Sequence, residues 1–115
     1  MAWEPERGAH FGVLPRNGSA ADVQWFDMEA RWSFHMVNAW EDNGVIKVDV
    51  CASNGTNFAP MADGRMADPA IGLQPRLRRW TIDPAAGSKA VSEEILDGDS
   101  SGEFPRTDDR YMTRP

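Results

Sequence analysis

Trp32-Ser33-Phe34-His35-Met36-Val37-Asn38-Ala39-Trp40, then Glu41-Asp42-Asn43-Gly44, then Val45-Ile46-Lys47-Val48-Asp49-Val50-Cys51, is the stretch that decides the fold class. Two arms rich in β-branched and aromatic residues flank Asn43-Gly44, a pair that tolerates the positive backbone angles of a two-residue hairpin turn. In the second arm Ile46, Val48 and Val50 alternate with Lys47 and Asp49. Side chains of a strand point alternately to opposite faces, so one face of this arm is expected in a core and the other against water or a polar neighbour. The turn fixes the register, with Ala39 and Trp40 leading in and Val45 and Ile46 leading out.

Working outward, Leu77 to Ile82 passes through Asp83-Pro84-Ala85-Ala86-Gly87 into Lys89 to Leu96, which reads as a second hairpin with Pro and Gly as turn formers. Two hairpins in succession predict a four-stranded antiparallel meander. Phe11 to Pro15 and Val23 to Phe26 read as short strands split by an Arg16-Asn17-Gly18-Ser19 turn. Ala52 to Pro75, with scattered Gly, Pro, Asp and Met and no sustained pattern, is a long excursion and the segment expected to be most mobile. No 3.6-residue apolar periodicity persists, so the class is all-β. A meander with unpartnered flanking strands fits one blade of a β-propeller with the margins of its neighbours, and equally a fragment of a small sandwich or barrel. Neither end reads as a natural terminus.

The 115 residues are 41% hydrophobic and 26% charged, ordinary for a globular chain, and five tryptophans supply bulk for a core or a pocket. A formal charge of −6 argues against nucleic acid or an anionic membrane as partner, since both demand clustered cations. Arg76, Arg78 and Arg79 form the one basic cluster and read as a solvated strand edge. The lone Cys51 cannot make an internal disulfide, no apolar run approaches the about 20 residues of a membrane helix, and residues 1–10 lack the apolar core of a signal peptide. A cytoplasmic location is the expectation.

Taken alone, the residues make a thin case for a metal: two histidines, one cysteine, and no HExxH or CxxC spacing. A single histidine on a strand is more often structural, and a metal site needs several converging donors. Glu93-Glu94 reads as an exposed strand or turn, and Ser33, Cys51 and His35 have no spacing that implies a nucleophile with its base.

The run Phe34-His35-Met36-Val37-Asn38-Ala39-Trp40-Glu41 resembles a segment of the iron-dependent carotenoid oxygenases, which reads Phe-His-x-x-Asn-Ala followed by an aromatic and an acidic residue. Gly12-Val13-Leu14-Pro15-Arg16, Trp25-Phe26, Arg79-Trp80-Thr81-Ile82-Asp83 and Glu103-Phe104-Pro105-Arg106 resemble further segments of that family in the same order, and the bacterial branch with lignostilbene dioxygenases is the most similar. The resemblance implies a seven-bladed propeller with Fe(2+) on its axis, held by four histidines from inner strands. It implies that residues 1–115 are part of that domain, incomplete at both ends, with about one blade present.

It further implies that His35 is one of the four iron ligands, that Phe34 and Val37 pack between sheets, and that Glu103 accepts a hydrogen bond from the ligating histidine. A carboxylate on the second nitrogen of a ligating imidazole fixes its tautomer and raises its basicity. His10 falls where the family has no ligand and is expected to be a surface or packing residue. The implied reaction is oxidative cleavage of a carbon-carbon double bond with O2, on a carotenoid, an apocarotenoid or a phenolic stilbene. The alternatives are a metal-free propeller-like binding module and an inactive truncated remnant. Iron content separates the first from the enzyme, and sequence beyond both ends separates the second.

Overall fold

The computed structural model describes residues 1–112 and 114, and among these every regular element longer than a single turn is a β-strand. The strands are β1 (Ala9–Val13), β2 (Gln24–Met28), β3 (Trp32–Asp42), β4 (Val45–Ser53), β5 (Arg76–Ile82) and β6 (Ser92–Asp97). β1 and β2 pair as an antiparallel hairpin, and β3-β4-β5-β6 form one antiparallel sheet in chain order. The all-β meander expected from the sequence is the observed architecture.

The turn chemistry of Asn43-Gly44 is realised as read. Asp42 pairs with Val45, and φ is 51° at Asn43 and 83° at Gly44, the left-handed pair that matches the twist of a tight hairpin. Alternation then sorts the sheet. One face carries Val48, Val50 and Ala52 of β4 with Trp80 and Ile82 of β5, and the β1–β2 hairpin covers it. Phe26 and Val50 are fully buried there, and Phe11 meets Trp80 edge to face at 5.2 Å. Each large side chain so buried contributes about 1.5–3 kcal/mol.

The second hairpin departs from its expected bounds. Lys89, Ala90 and Val91 do not extend the last strand; they turn aside to β2, where Asp27 N–H donates to Lys89 O at 2.7 Å and Val91 N–H donates to Asp27 O at 2.8 Å. Their backbone groups find partners on the covering hairpin, so pairing with β5 begins only at Ser92. The excursion after β4 folds back on itself: Asn54 N–H and Nδ2 donate to Gly72 O and Ile71 O at 3.0 and 2.6 Å, and Ala59 and Ala67 are buried.

The arginine cluster is a correction. Arg78 is buried at 4% exposure, not a solvated edge, because its guanidinium donates to Ala52 O, Asn54 Oδ1 and Glu93 Oε1 at 3.0, 2.9 and 2.7 Å. Glu93, expected to be exposed, receives Arg78, the Arg31 guanidinium and Trp80 Nε1 together. Burial pushes the Glu93 carboxyl up, but these donors outweigh it and hold it below the ordinary glutamate range. Arg79 lies on the opposite face, bidentate to Asp49 at 2.8 and 2.9 Å and over the Trp40 ring at 4.8 Å. That pair is the polar neighbour the alternation of β4 called for.

Candidate metal centre

His35 sits on β3 between two irregularities of register. Trp32 pairs with Ser53 and His35 with Cys51, three steps of β3 against two of β4; Met36 pairs with Val50 and Asn38 with Asp49, two steps against one. Each is a β-bulge, an extra residue that re-aims the side chains beside it. Hydroxyls serve both bulges: Ser33 Oγ donates to Cys51 O at 2.9 Å, and Thr107 Oγ1 donates to Val37 O at 3.0 Å. Between them, His35 shares a face with Cys51 and Leu77, away from the covering hairpin.

The chain after β6 returns to this face. Arg76 Nη1 donates to Ser100 O at 2.9 Å and Gly102 N–H to Pro75 O at 3.3 Å. Phe104 then takes φ 54°, a left-handed conformation uncommon for an aromatic residue. Glu103 Oε2 lies 3.0 Å from His35 Nδ1, although the residues are 68 positions apart. Their side chains are 41% and 26% exposed. A carboxylate accepts, so Nδ1 is the donor of this bond, and in the neutral form of the ring the lone pair falls to Nε2. Among the described residues Nε2 has no hydrogen-bond partner.

The imidazole borders a cavity of about 510 Å³. Aromatic rings dominate its wall: Phe34 meets Trp32 and Phe58 edge to face at 5.4 and 5.2 Å, and Phe104 lies against the His35 ring with centroids 4.7 Å apart. Phe34 is 53% exposed on this wall and Phe58 72%, within a chain whose described residues hold only this one four-stranded sheet and its covering hairpin. The first bulge lies beside Phe34, and sequence alone carries no sign of a bulge. Cys51, across the strand from His35, is buried, and burial together with the charge of Glu103 pushes its thiol up, which keeps it a poor nucleophile.

His10 stands apart, exposed on the hairpin with Nδ1 2.6 Å from Asp27 Oδ1. Among the described residues no three His, Cys, Asp or Glu side chains converge. An imidazole supported through Nδ1 by a carboxylate suits a divalent transition metal, so the residues present fit one position of a metal site, at His35. Sequence reading missed Phe58, Phe104 and Thr107; the Glu103-Phe104-Pro105 run pointed to the segment but only to the carboxylate in it.

A profile of the retinal pigment epithelial membrane protein family matches residues 1–115. Isoeugenol monooxygenase of Pseudomonas putida is 40% identical over 110 residues, 95% of this chain and 23% of the enzyme. The crystal structure of Pseudomonas brassicacearum lignostilbene dioxygenase superposes with a TM-score of 0.87 at 38% identity, over 99% of this chain and 24% of that one. A cobalt-substituted Synechocystis apocarotenoid oxygenase superposes at 0.75 with 27% identity, over 98% and 23%. The chain thus spans about a quarter of the length of the relatives it matches. It belongs to the retinal pigment epithelial membrane protein family, the carotenoid oxygenases.

Proposed function

We propose that the complete protein containing this chain is a cytoplasmic, non-haem Fe(2+) dioxygenase that cleaves a carbon-carbon double bond conjugated to an aromatic ring, with O2, to two carbonyl products. In this reading residues 1–115 are about one blade of a seven-bladed propeller, and the other blades bring the remaining iron ligands. The observation that carries it is the imidazole of His35 with Nδ1 taken by Glu103 and Nε2 free at the edge of an aromatic cavity. The cobalt-substituted relative supports a metal in the family, since such a substitution presupposes a resident metal. No helix among the described residues is long and apolar enough to cross a membrane.

Bound iron would supply an open coordination position for O2. The residues of this chain do the rest that falls to them. His35 offers Nε2, Glu103 holds the proton on Nδ1 and stops the ring from turning, and Phe34, Phe58 and Phe104 offer edges and faces to a flat apolar substrate. Phenylpropenes and stilbenes are the proposed substrates because relatives at 38–40% identity carry isoeugenol and lignostilbene in their names and the aromatic wall of the cavity suits a flat ring.

The test is to express the full reading frame, measure iron per chain, and assay isoeugenol, a hydroxystilbene and an apocarotenal for aldehyde products. Stoichiometric iron with aldehydes from the aromatic alkenes, both lost in His35→Ala, is expected. Aldehydes formed by an iron-free protein, or unchanged turnover in His35→Ala, would overturn the reading.

A further inference from the structure

We infer that Phe104 is a positioning residue: its left-handed backbone turns Glu103 toward His35, and its ring lies on the imidazole so that Nδ1 stays on the carboxylate and Nε2 stays free. Three observations carry this. Phe104 holds φ 54° with no glycine to relieve it, immediately before Pro105, a neighbour that narrows its choices further. Its ring centroid is 4.7 Å from that of His35, tilted by 41°. The ring is otherwise 77% exposed, so burial of apolar surface does not explain why the chain holds this conformation.

A flat ring against one face of an imidazole restricts rotation about the Cβ–Cγ bond, and that rotation is the motion that would carry Nδ1 away from Glu103. The turn and the ring are separable. Glycine adopts positive φ freely, so Phe104→Gly keeps the turn and deletes the ring, whereas Phe104→Tyr keeps both. The inference rests on the metal-ligand reading of His35 only for its purpose; the geometry is tested without metal.

The chain has two histidines, each with Nδ1 on a carboxylate, and among the described residues only His35 has an aromatic ring against it. In the 115-residue chain labelled with ring-¹⁵N histidine, at an alkaline pH where imidazoles are neutral, nitrogen shifts report which nitrogen of each ring is protonated. His35 is expected to be the Nδ1–H form in the parent and in Phe104→Tyr, and to lose that preference in Phe104→Gly and Phe104→Leu while His10 keeps its own. Retention of the Nδ1–H form in Phe104→Gly would overturn the inference, assigning the bond to Glu103 and the turn alone. Equal loss at His10 would also overturn it, as a general loss of structure. Failure of the metal reading shows separately, in the iron content of the full-length His35→Ala protein.

Discussion

At the scale of single residues, two carboxylates do opposite kinds of work. Glu103 holds one half-exposed imidazole, and in the complete protein Glu103→Gln is expected to weaken iron retention by about 10- to 100-fold with the fold intact. Iron content after timed exposure to a chelator, beside a circular-dichroism spectrum, checks this; unchanged retention would remove Glu103 from the site. Glu93 by contrast neutralises two guanidiniums, with its own side chain only 16% exposed and that of Arg78 5%. Removing its charge strands buried cations, so Glu93→Gln is expected to cost about 3–5 kcal/mol in urea unfolding. Because the folded carboxyl lies below its unfolded value, the unfolded chain takes up the proton first. The stability Glu93 contributes is therefore complete above the ordinary glutamate range and is lost as pH falls through the depressed value. The variant should lack that part of the acid sensitivity, and a parent-like acid profile in Glu93→Gln would show that other groups set it.

At the scale of elements, the β3–β4 hairpin was legible because its information is local. Asn43-Gly44 states the turn, and the alternation through Val50 states the faces. Gly44 has φ 83° and open space where a Cβ would lie, so Gly44→Ala tests backbone conformation alone and is expected to cost about 1–2 kcal/mol. A thermal melt unchanged from the parent would mean that the turn relaxes to another type. What stayed illegible depends on partners distant in the chain. Arg78 and Glu93 are 15 positions apart, and nothing in either neighbourhood announces the other. The run 89–91 reads as strand on its own composition and is strand-like in fact, but its partner is Asp27 of β2. The bulges around His35 add residues without disturbing apolar composition, so a pattern of period two passes over them. His35 and Glu103 were found through resemblance; spacing alone left a lone histidine.

At the scale of the whole molecule, the chain carries a core, a cavity and one imidazole proposed as a metal donor, and it spans about a quarter of its relatives. One imidazole cannot hold Fe(2+) against competing water and chelator, so the 115-residue chain is expected to emerge from a chelating column without iron and to leave alkenes uncleaved. Metal analysis checks it, and one retained iron per chain would point to donors elsewhere in the sequence. The paired bulges add a property of the sheet as a coded object. Each adds one residue to β3, and because the faces of a strand alternate with period two, the second restores the alternation that the first upsets. The strand reads in phase with β4 at Trp32, drops out of phase for His35 and Met36 alone, and is back in phase from Asn38 to Asp42. Together they confine the altered alternation to the stretch between Trp32 and Asn38. The site can therefore change its residue at 35 without rewriting the core that every other position of the strand spells out, whereas losing a single bulge would garble one whole arm of the hairpin.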